Sequence, residues 1–365
     1  MSSTTKHHTH DLIKTISTEF LKEPSLFLTQ LNYDKKEAQY FFDVPTLNFL
    51  YSIFESLKLS NIICIGAPRL HDYIKSKNVK QSILLDIDKR FQSFNDPEYF
   101  CYYNMFNSYF FNSDKWKLEK FLLDENPVRS SHCLFTDPPF AARTELLVET
   151  IRTFANLYNQ LNKNYKILPV IWIFPYYMEH YILKYMPEME MLDFHVSYMN
   201  HKTYNDNYKG RKEGTPVRIF TNIDPSLIRY PKSYTSYRYC KECRRYVSKT
   251  NLHCRICKIC PSKNGSTYKH CNKCIVCVKP NYIHCTKCER CVQKTNHDCQ
   301  TYQKYQECWI CNKRGHVEKY CHFFKKLSCI KKSVTGCLLC GDKKVKHNLK
   351  CCPKRMELLL NNEMK

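Results

Sequence analysis

Through the first 230 residues, apolar positions fall either into short unbroken runs or onto one side of longer amphipathic stretches. The runs at 61–65, 82–88, 99–105, 133–135 and 167–174 have the pattern of parallel strands buried on both faces. Residues 37–57 place Tyr40, Phe41, Phe42, Leu47, Phe49, Leu50, Ile53 and Phe54 at roughly helical spacing, and 143–161 predicts a second helix. A further amphipathic helix is expected over 11–20, with a break at Pro24. Segments 192–199 and 215–223 read as two closing strands. The loop between them is polar, holds Gly210 and Gly214 and has no long helix, which suits an antiparallel final pair. The expectation is an N-terminal extension over 1–34, then an α/β, Rossmann-like domain over 35–230 with seven strands and ligands bound at its carboxyl edge.

Past residue 230 the composition changes. Only Cys64, Cys101 and Cys133 of the 23 cysteines precede Cys240. Up to Tyr230 there are 27 Lys and Arg against 26 Asp and Glu; from Pro231 onward there are 30 against 8, so the tail carries nearly all of the +23 charge. The opening residues are polar, with Lys6, His7, His8 and His10, and do not read as a secretory signal. The longest apolar run, 167–177, is interrupted by Pro169 and Pro175 and is too short to cross a bilayer, so no membrane partner is expected. A reducing compartment follows, and with it zinc rather than disulfides.

The tail repeats a unit: His253-Cys254-x2-Cys257-x2-Cys260 recurs from His270 and again from His284. With Cys240-x2-Cys243 ahead of it and His297 and Cys299 behind, the ligands close four tetrahedral sites over 238–300. One arrangement uses them all, the pairing itself being left open: Cys240, Cys243, His253 and Cys260; Cys254, Cys257, His270 and Cys277; Cys271, Cys274, His284 and Cys291; and Cys285, Cys288, His297 and Cys299. The stretch is similar to the cysteine-rich domain of DHHC palmitoyltransferases, but Asn296-His297-Asp298-Cys299 stands where their catalytic motif would be, so acyl transfer is set aside. Cys308, Cys311, His316 and Cys321, over 306–323, have the spacing of a retroviral-type zinc knuckle, with Trp309 available for base stacking. A looser cluster over 335–353 offers Cys337, Cys340, His347 and Cys352, for about six structural Zn2+ ions in all. Complete four-ligand sets leave no open coordination position, so function is expected on the basic, aromatic surface, as in nucleic-acid binding.

The candidate chemistry lies at the strand ends. Gly66 closes the run at 61–65 and suits a backbone approached by a ligand; Asp86 ends the next run, where a carboxylate accepts ribose hydroxyls. Asn104 follows the third. Asp137 ends the fourth and is succeeded by Pro138 and Pro139, which hold Asp137 and Phe140 on a stiff loop. Asp137-Pro138-Pro139-Phe140 resembles the (Asp/Asn)-Pro-Pro-aromatic motif of S-adenosyl-L-methionine-dependent methyltransferases acting on amide and exocyclic nitrogens. Its acid and a proline carbonyl would accept the amine protons, and its aromatic ring would stack on the base.

Taken together, Gln39 to Phe42, Gly66 to His71, Leu84 to Asp88, Tyr103 to Asn107, the Asp-Pro-Pro-Phe loop, the cysteine repeat and the knuckle resemble the zinc-knuckle (CCHC-domain) ribosomal RNA adenosine-N6 methyltransferase family. The resemblance implies a class I methyltransferase fold followed by a multi-zinc tail. It implies cofactor contacts from Gln39, Tyr40, Phe41, Phe42, Gly66, Arg69, Asp86, Asn104, Met105 and Asp137, and base contacts from Asp137 to Phe140. It further implies large-subunit ribosomal RNA as substrate and a nuclear and nucleolar location, with the cytoplasm as a second; a protein partner is left open. Members usually carry zinc fingers ahead of the methyltransferase domain, where this sequence has only about 35 cysteine-free residues. Two other classes stay open: a protein lysine or glutamine N-methyltransferase, and a non-catalytic RNA-binding ribosome-assembly factor.

Overall fold

The computed structural model describes residues 20–28, 39–123, 131–163, 167–200, 215–295 and 297–300. The helix expected over 11–20 falls almost wholly outside them, as do the loop holding Gly210 and Gly214 and both knuckle-type clusters. The chain divides into two compact units, Met1–Tyr268 and Lys269–Lys365.

The first unit is built on one sheet. Its strands are β1 (Asn61–Ile65), β2 (Gln81–Asp86), β3 (Phe100–Asn104), β4 (Tyr109–Phe110), β5 (His132–Thr136), β6 (Val170–Pro175), β7 (Glu190–Leu192) and β8 (Val217–Thr221), in the order β4-β3-β2-β1-β5-β6-β8-β7. The five from β3 to β6 in that order are parallel, while β8 runs antiparallel to β6 and β7 antiparallel to β8. This is the expected open sheet with its reversed ending, plus one strand: β4, two residues long, folds back on β3 and was too short to leave a pattern.

Alternation along β1 shows why both faces are apolar. Ile62 and Cys64 enter one core with Leu47, Phe49, Leu50, Ile53, Phe54, Leu70 and Ile74 from α1 (Val44–Ser56) and α2 (Pro68–Lys77). Ile63 and Ile65 enter the other, with Leu118 and Leu122 of α3 (Lys115–Leu122), Leu147, Val148, Ile151 and Phe154 of α4 (Thr144–Asn162), and Ile182 of α5 (Glu179–Tyr185). Successive side chains of a strand point to opposite faces, so a sheet covered on both sides needs apolar residues throughout. Helix starts follow local chemistry: the Asp43 carboxylate accepts the Thr46 N–H at the start of α1, and Pro45 and Pro68 occupy first-turn positions where a missing N–H costs nothing. Among the described residues no helix is long and apolar enough to cross a membrane.

Three expectations need correction. Tyr40, Phe41 and Phe42 are not helical; α1 begins at Val44, and Phe42 instead bridges Tyr198 antiparallel. The strand expected from 167 begins at Val170, because Pro169 has no N–H to give a ladder. The strand expected over 192–199 is confined to Glu190–Leu192, after which the chain is shared among other partners. Asp193 accepts the Ser248 N–H and the Asn251 side-chain amide, the His195 N–H donates to the Tyr237 hydroxyl, and Asp43 N–H donates to Ser197 O.

Of those partners, Tyr237 and Ser248 belong to a hairpin, β9 (Tyr237–Cys240) and β10 (Arg245–Ser248), within the first unit, and Asn251 follows it. Arg245 adds an ion pair to Glu190 at 2.9 Å and a hydrogen bond to the Met191 carbonyl. The second unit contains two more hairpins, β11 (Lys269–Cys271) with β12 (Val276–Val278) and β13 (Tyr282–Cys285) with β14 (Arg290–Gln293). In Cys240-x2-Cys243 and in the first Cys-x2-Cys of each repeat unit the residue after the second cysteine is left-handed: Arg244, Lys258, Ile275 and Glu289 have φ between 48° and 56°.

Candidate active site

The connections from β1 and β5 depart in opposite directions, toward β2 and β6, and open α/β sheets bind ligands where connections part in this way. There the strand ends converge. The Asp137 N–H donates to the Ile65 carbonyl at 3.2 Å, and the Gly66 N–H donates to the Leu85 carbonyl at 2.9 Å. Gly66 has φ +63°, and a Cβ on it would lie 2.6 Å from Met105 Cε and 3.3 Å from the Asp137 carbonyl oxygen. Only glycine, with no Cβ, allows so close an approach of Met105 and the Asp137 backbone at this positive φ. Gly66, Met105 and Asp137 are thus brought together, and Asp86 closes the adjacent strand.

Asp86 is buried and Asp137 half-buried. Asp86 accepts the Asp88 N–H at 2.8 Å; burial, with the nearby Asp88 charge adding to it, pushes its carboxyl up to about 7. Asp88 itself is held by Arg90 at 2.7 Å and by a longer contact from the Gln39 amide at 3.4 Å. Asp137 accepts a hydrogen bond from the Tyr198 hydroxyl at 2.9 Å; burial raises its carboxyl well above the usual carboxylate range, and the Tyr198 hydroxyl works against that rise.

Aromatic rings cluster around Tyr198, the hydrogen-bond partner of the Asp137 carboxyl. Phe140 lies 6.3 Å from Tyr40, nearly parallel, and edge-on to Tyr198 at 6.1 Å; Phe42 stacks on Tyr198 at 5.1 Å. Residues 39–43 are extended along 197–200: Met199 N–H donates to Phe41 O, Asn200 Oδ1 accepts the Phe41 N–H at 2.8 Å, and the Asn200 amide donates to Gln39 O. Gln39, Tyr40, Phe41 and Phe42 therefore stand beside the crevice as a strap, with Phe41 and Phe42 buried.

Two expected cofactor residues are otherwise engaged. Arg69, in the first turn of α2, is buried and ion-paired with Glu23. Asn104 turns its side chain on its own loop, accepting the Phe106 N–H at 2.9 Å, and the Met105 carbonyl accepts from Thr150. Sequence reading missed Tyr198 and Asn200. The only signal for them was the apolar alternation Phe194, Val196, Tyr198, which carries no hint of the partner.

Three of the sets read from the repeat assemble within a single unit: Cys240, Cys243, His253 and Cys260 in the first, and Cys271, Cys274, His284 and Cys291 together with Cys285, Cys288, His297 and Cys299 in the second, with ligand atoms of each set within 4.8 Å of one another. A tetrahedral zinc with Zn–S of about 2.3 Å needs sulfurs about 3.8 Å apart. Cys243 and Cys260 are 3.9 Å apart, Cys274 and Cys291 3.7 Å, and Cys285 and Cys299 3.5 Å. His253 and His284 face their cysteines through Nδ1, and His297 through Nε2. Thiolate and imidazole donors at these separations fit zinc.

A family model described as "Probable N6-adenine methyltransferase" matches residues 33–225. The chain is similar to the rRNA N(6)-adenosine-methyltransferase ZCCHC4 of Homo sapiens, 39% identical over 328 residues that cover 87% of this chain and 62% of the relative. The same-named protein of Mus musculus is 40% identical over 260 residues, 68% of this chain and 50% of the relative, and that of Xenopus tropicalis 38% over 257 residues, 68% and 52%. The chain spans less than two thirds of the length of these relatives.

Proposed function

Because the chain belongs to the N6-adenine methyltransferase family, we propose that it methylates N6 of adenosine in large-subunit ribosomal RNA, with S-adenosylmethionine as donor, in the nucleus and nucleolus. The observation that carries this reading is the placement of Asp137-Pro138-Pro139-Phe140 at the end of β5, with the Asp137 backbone packed against Gly66 and the Phe140 ring beside those of Tyr40 and Tyr198. The names of the relatives support ribosomal RNA as substrate. The choice of the large subunit rests on the family resemblance alone.

The cofactor fits the residues present. Gly66, at positive φ beside the Asp137 backbone, keeps the end of β1 free of a side chain of its own, and the Asp86 carboxyl is placed for a ribose diol. When bound, S-adenosylmethionine supplies an electrophilic methyl group on a sulfonium sulfur. Phe140 and its neighbouring rings hold an unstacked adenine flat. Asp137 accepts a hydrogen bond from the amine, as can the Pro138 carbonyl, drawing the nitrogen lone pair out of conjugation for in-line attack. One N6 proton is lost as the N–C bond forms. The Asp137 carboxylate, held against the amine, is placed to receive it.

Ribose hydroxyls favour the ionised form of Asp86, whose carboxyl is half protonated at about 7 before binding. Cofactor affinity is therefore expected to rise as pH increases through about 7 and to level off above, with proton release on binding below that point. Calorimetry in two buffers of different ionisation enthalpy measures both; a pH-independent affinity would remove Asp86 from the contact.

The reading is tested by transfer of label from S-adenosylmethionine to total RNA and, separately, to total protein, followed by digestion to nucleosides. Label in N6-methyladenosine of large ribosomal RNA is expected. Label in protein, or no transfer to either, would overturn it.

A further inference from the structure

Resting on that reading, we propose that Tyr198 is a positioning residue for the reaction: its hydroxyl occupies one oxygen of the Asp137 carboxyl, fixing the rotamer and leaving the other oxygen for the amine of the base. The geometry is specific. The hydroxyl donates to Oδ1 at 2.9 Å, between groups 61 residues apart in sequence. Tyr198 is only 1% exposed, its ring stacks on Phe42, its backbone bridges Phe42, and it lies edge-on to Phe140. A tyrosine clamped on three sides cannot swing with the carboxyl. It therefore sets where the carboxyl points.

Packing alone does not account for the hydroxyl. Phenylalanine would fill the same space among Phe42, Tyr40 and Phe140, and burying a hydroxyl is favourable only where it has a partner. The partner here is the group proposed to touch the substrate. Burial and the Tyr198 hydroxyl are the two influences on the Asp137 carboxyl, and no charged side chain among the described residues adds to them. Gly66 and Met105, packed beside the Asp137 backbone, carry no titratable group, and on the strap and the Asp-Pro-Pro-Phe loop the facing groups are aromatic.

Donation from Tyr198 favours the carboxylate, so its loss should shift Asp137 toward the protonated form, in which it accepts poorly from an amine. In Tyr198→Phe, kcat is expected to fall roughly tenfold to a hundredfold, the effect of one hydrogen bond to a charged group. Cofactor Kd and melting temperature should stay close to wild type. The acid limb of the kcat–pH profile should move to higher pH, because the variant needs a higher pH to hold the carboxylate.

The experiment pairs that profile with a carbon-13 titration of the Asp137 carboxyl in aspartate-labelled protein, wild type and Tyr198→Phe. An upward move of both the acid limb and the carboxyl titration supports the proposal. An unmoved carboxyl titration overturns it, whatever happens to kcat, since a merely structural tyrosine would lower activity without touching that signal. Should the wild-type protein transfer no methyl group to RNA, the functional reading fails by itself, and the carboxyl titration still decides whether Tyr198 governs Asp137.

Discussion

Asp137→Ala is expected to lower kcat for methyl transfer by about three orders of magnitude, in the range seen when a positioned acceptor or base is removed. Cofactor binding should be little changed, because the carboxyl faces the amine. Asp137→Asn is the sharper comparison: it keeps the shape and one acceptor oxygen but cannot receive the proton, and should lose nearly as much. Neither loss should come from unfolding. Asp137 titrates above its unfolded value because burial disfavours its charge, so its favourable contribution to folding is present at low pH and is lost as pH rises from the unfolded value through the folded one. Asp137→Asn should therefore melt at least as high as wild type at pH 8, with the difference shrinking toward pH 4. Thermal melts across that interval, beside single-turnover methylation, separate the two effects, and near-wild-type activity in the asparagine variant would rule Asp137 out.

Removing the first zinc should unfold more than the tail. Cys240, Cys243, His253 and Cys260 hold the segment that supplies Ser248 and Asn251 to Asp193, Arg245 to Glu190 and Met191, and Tyr237 to His195. Asp193 is 4% exposed, and a buried carboxylate stripped of its partners costs about 3 kcal/mol or more. For a unit of this size that amounts to about 10 °C in Tm. Cys243→Ser, or chelation, is expected to lower the melting temperature of the methyltransferase unit by about that amount. Tryptophan fluorescence gives a local probe, since Trp172 is fully buried in β6, beside β8. A melt that chelation leaves unchanged would mean that the hairpin stands without its metal.

Strand ends were readable in the sequence because a strand buried on both faces has to be apolar throughout, and the first polar residue after it marks the crevice. That logic located Gly66, Asp86 and Asp137 at one edge of the sheet. The zinc ligands were readable for a different reason: the repeat with its flanking residues supplies sixteen of them, and its offsets offer an arrangement that uses every one once, while the pairing itself came from the structure. The strap was not readable. Tyr40, Phe41 and Phe42 pair with residues about 157 positions away, and their spacing continues that of α1, so local periodicity assigned them to the helix. Tyr198 was hidden by the same long separation, and the short β7 by the transfer of Asp193 and His195 from the sheet to the β9–β10 hairpin.

The strap also sets a timetable. Phe41 is held by Asn200, 159 residues later, and the stretch leading to it is held in turn by Ser248 and Asn251. Such closures depend on contacts that form late in folding and, during synthesis, on chain that leaves the ribosome last. A nascent chain with β1, β2 and β5 complete already holds Gly66, Asp86 and Asp137, yet the strap lacks its pairing partner until residue 200 has emerged, and the stretch leading to that partner is not anchored until residue 251. Chains interrupted before that point would carry the reactive loop without the wall that orients it.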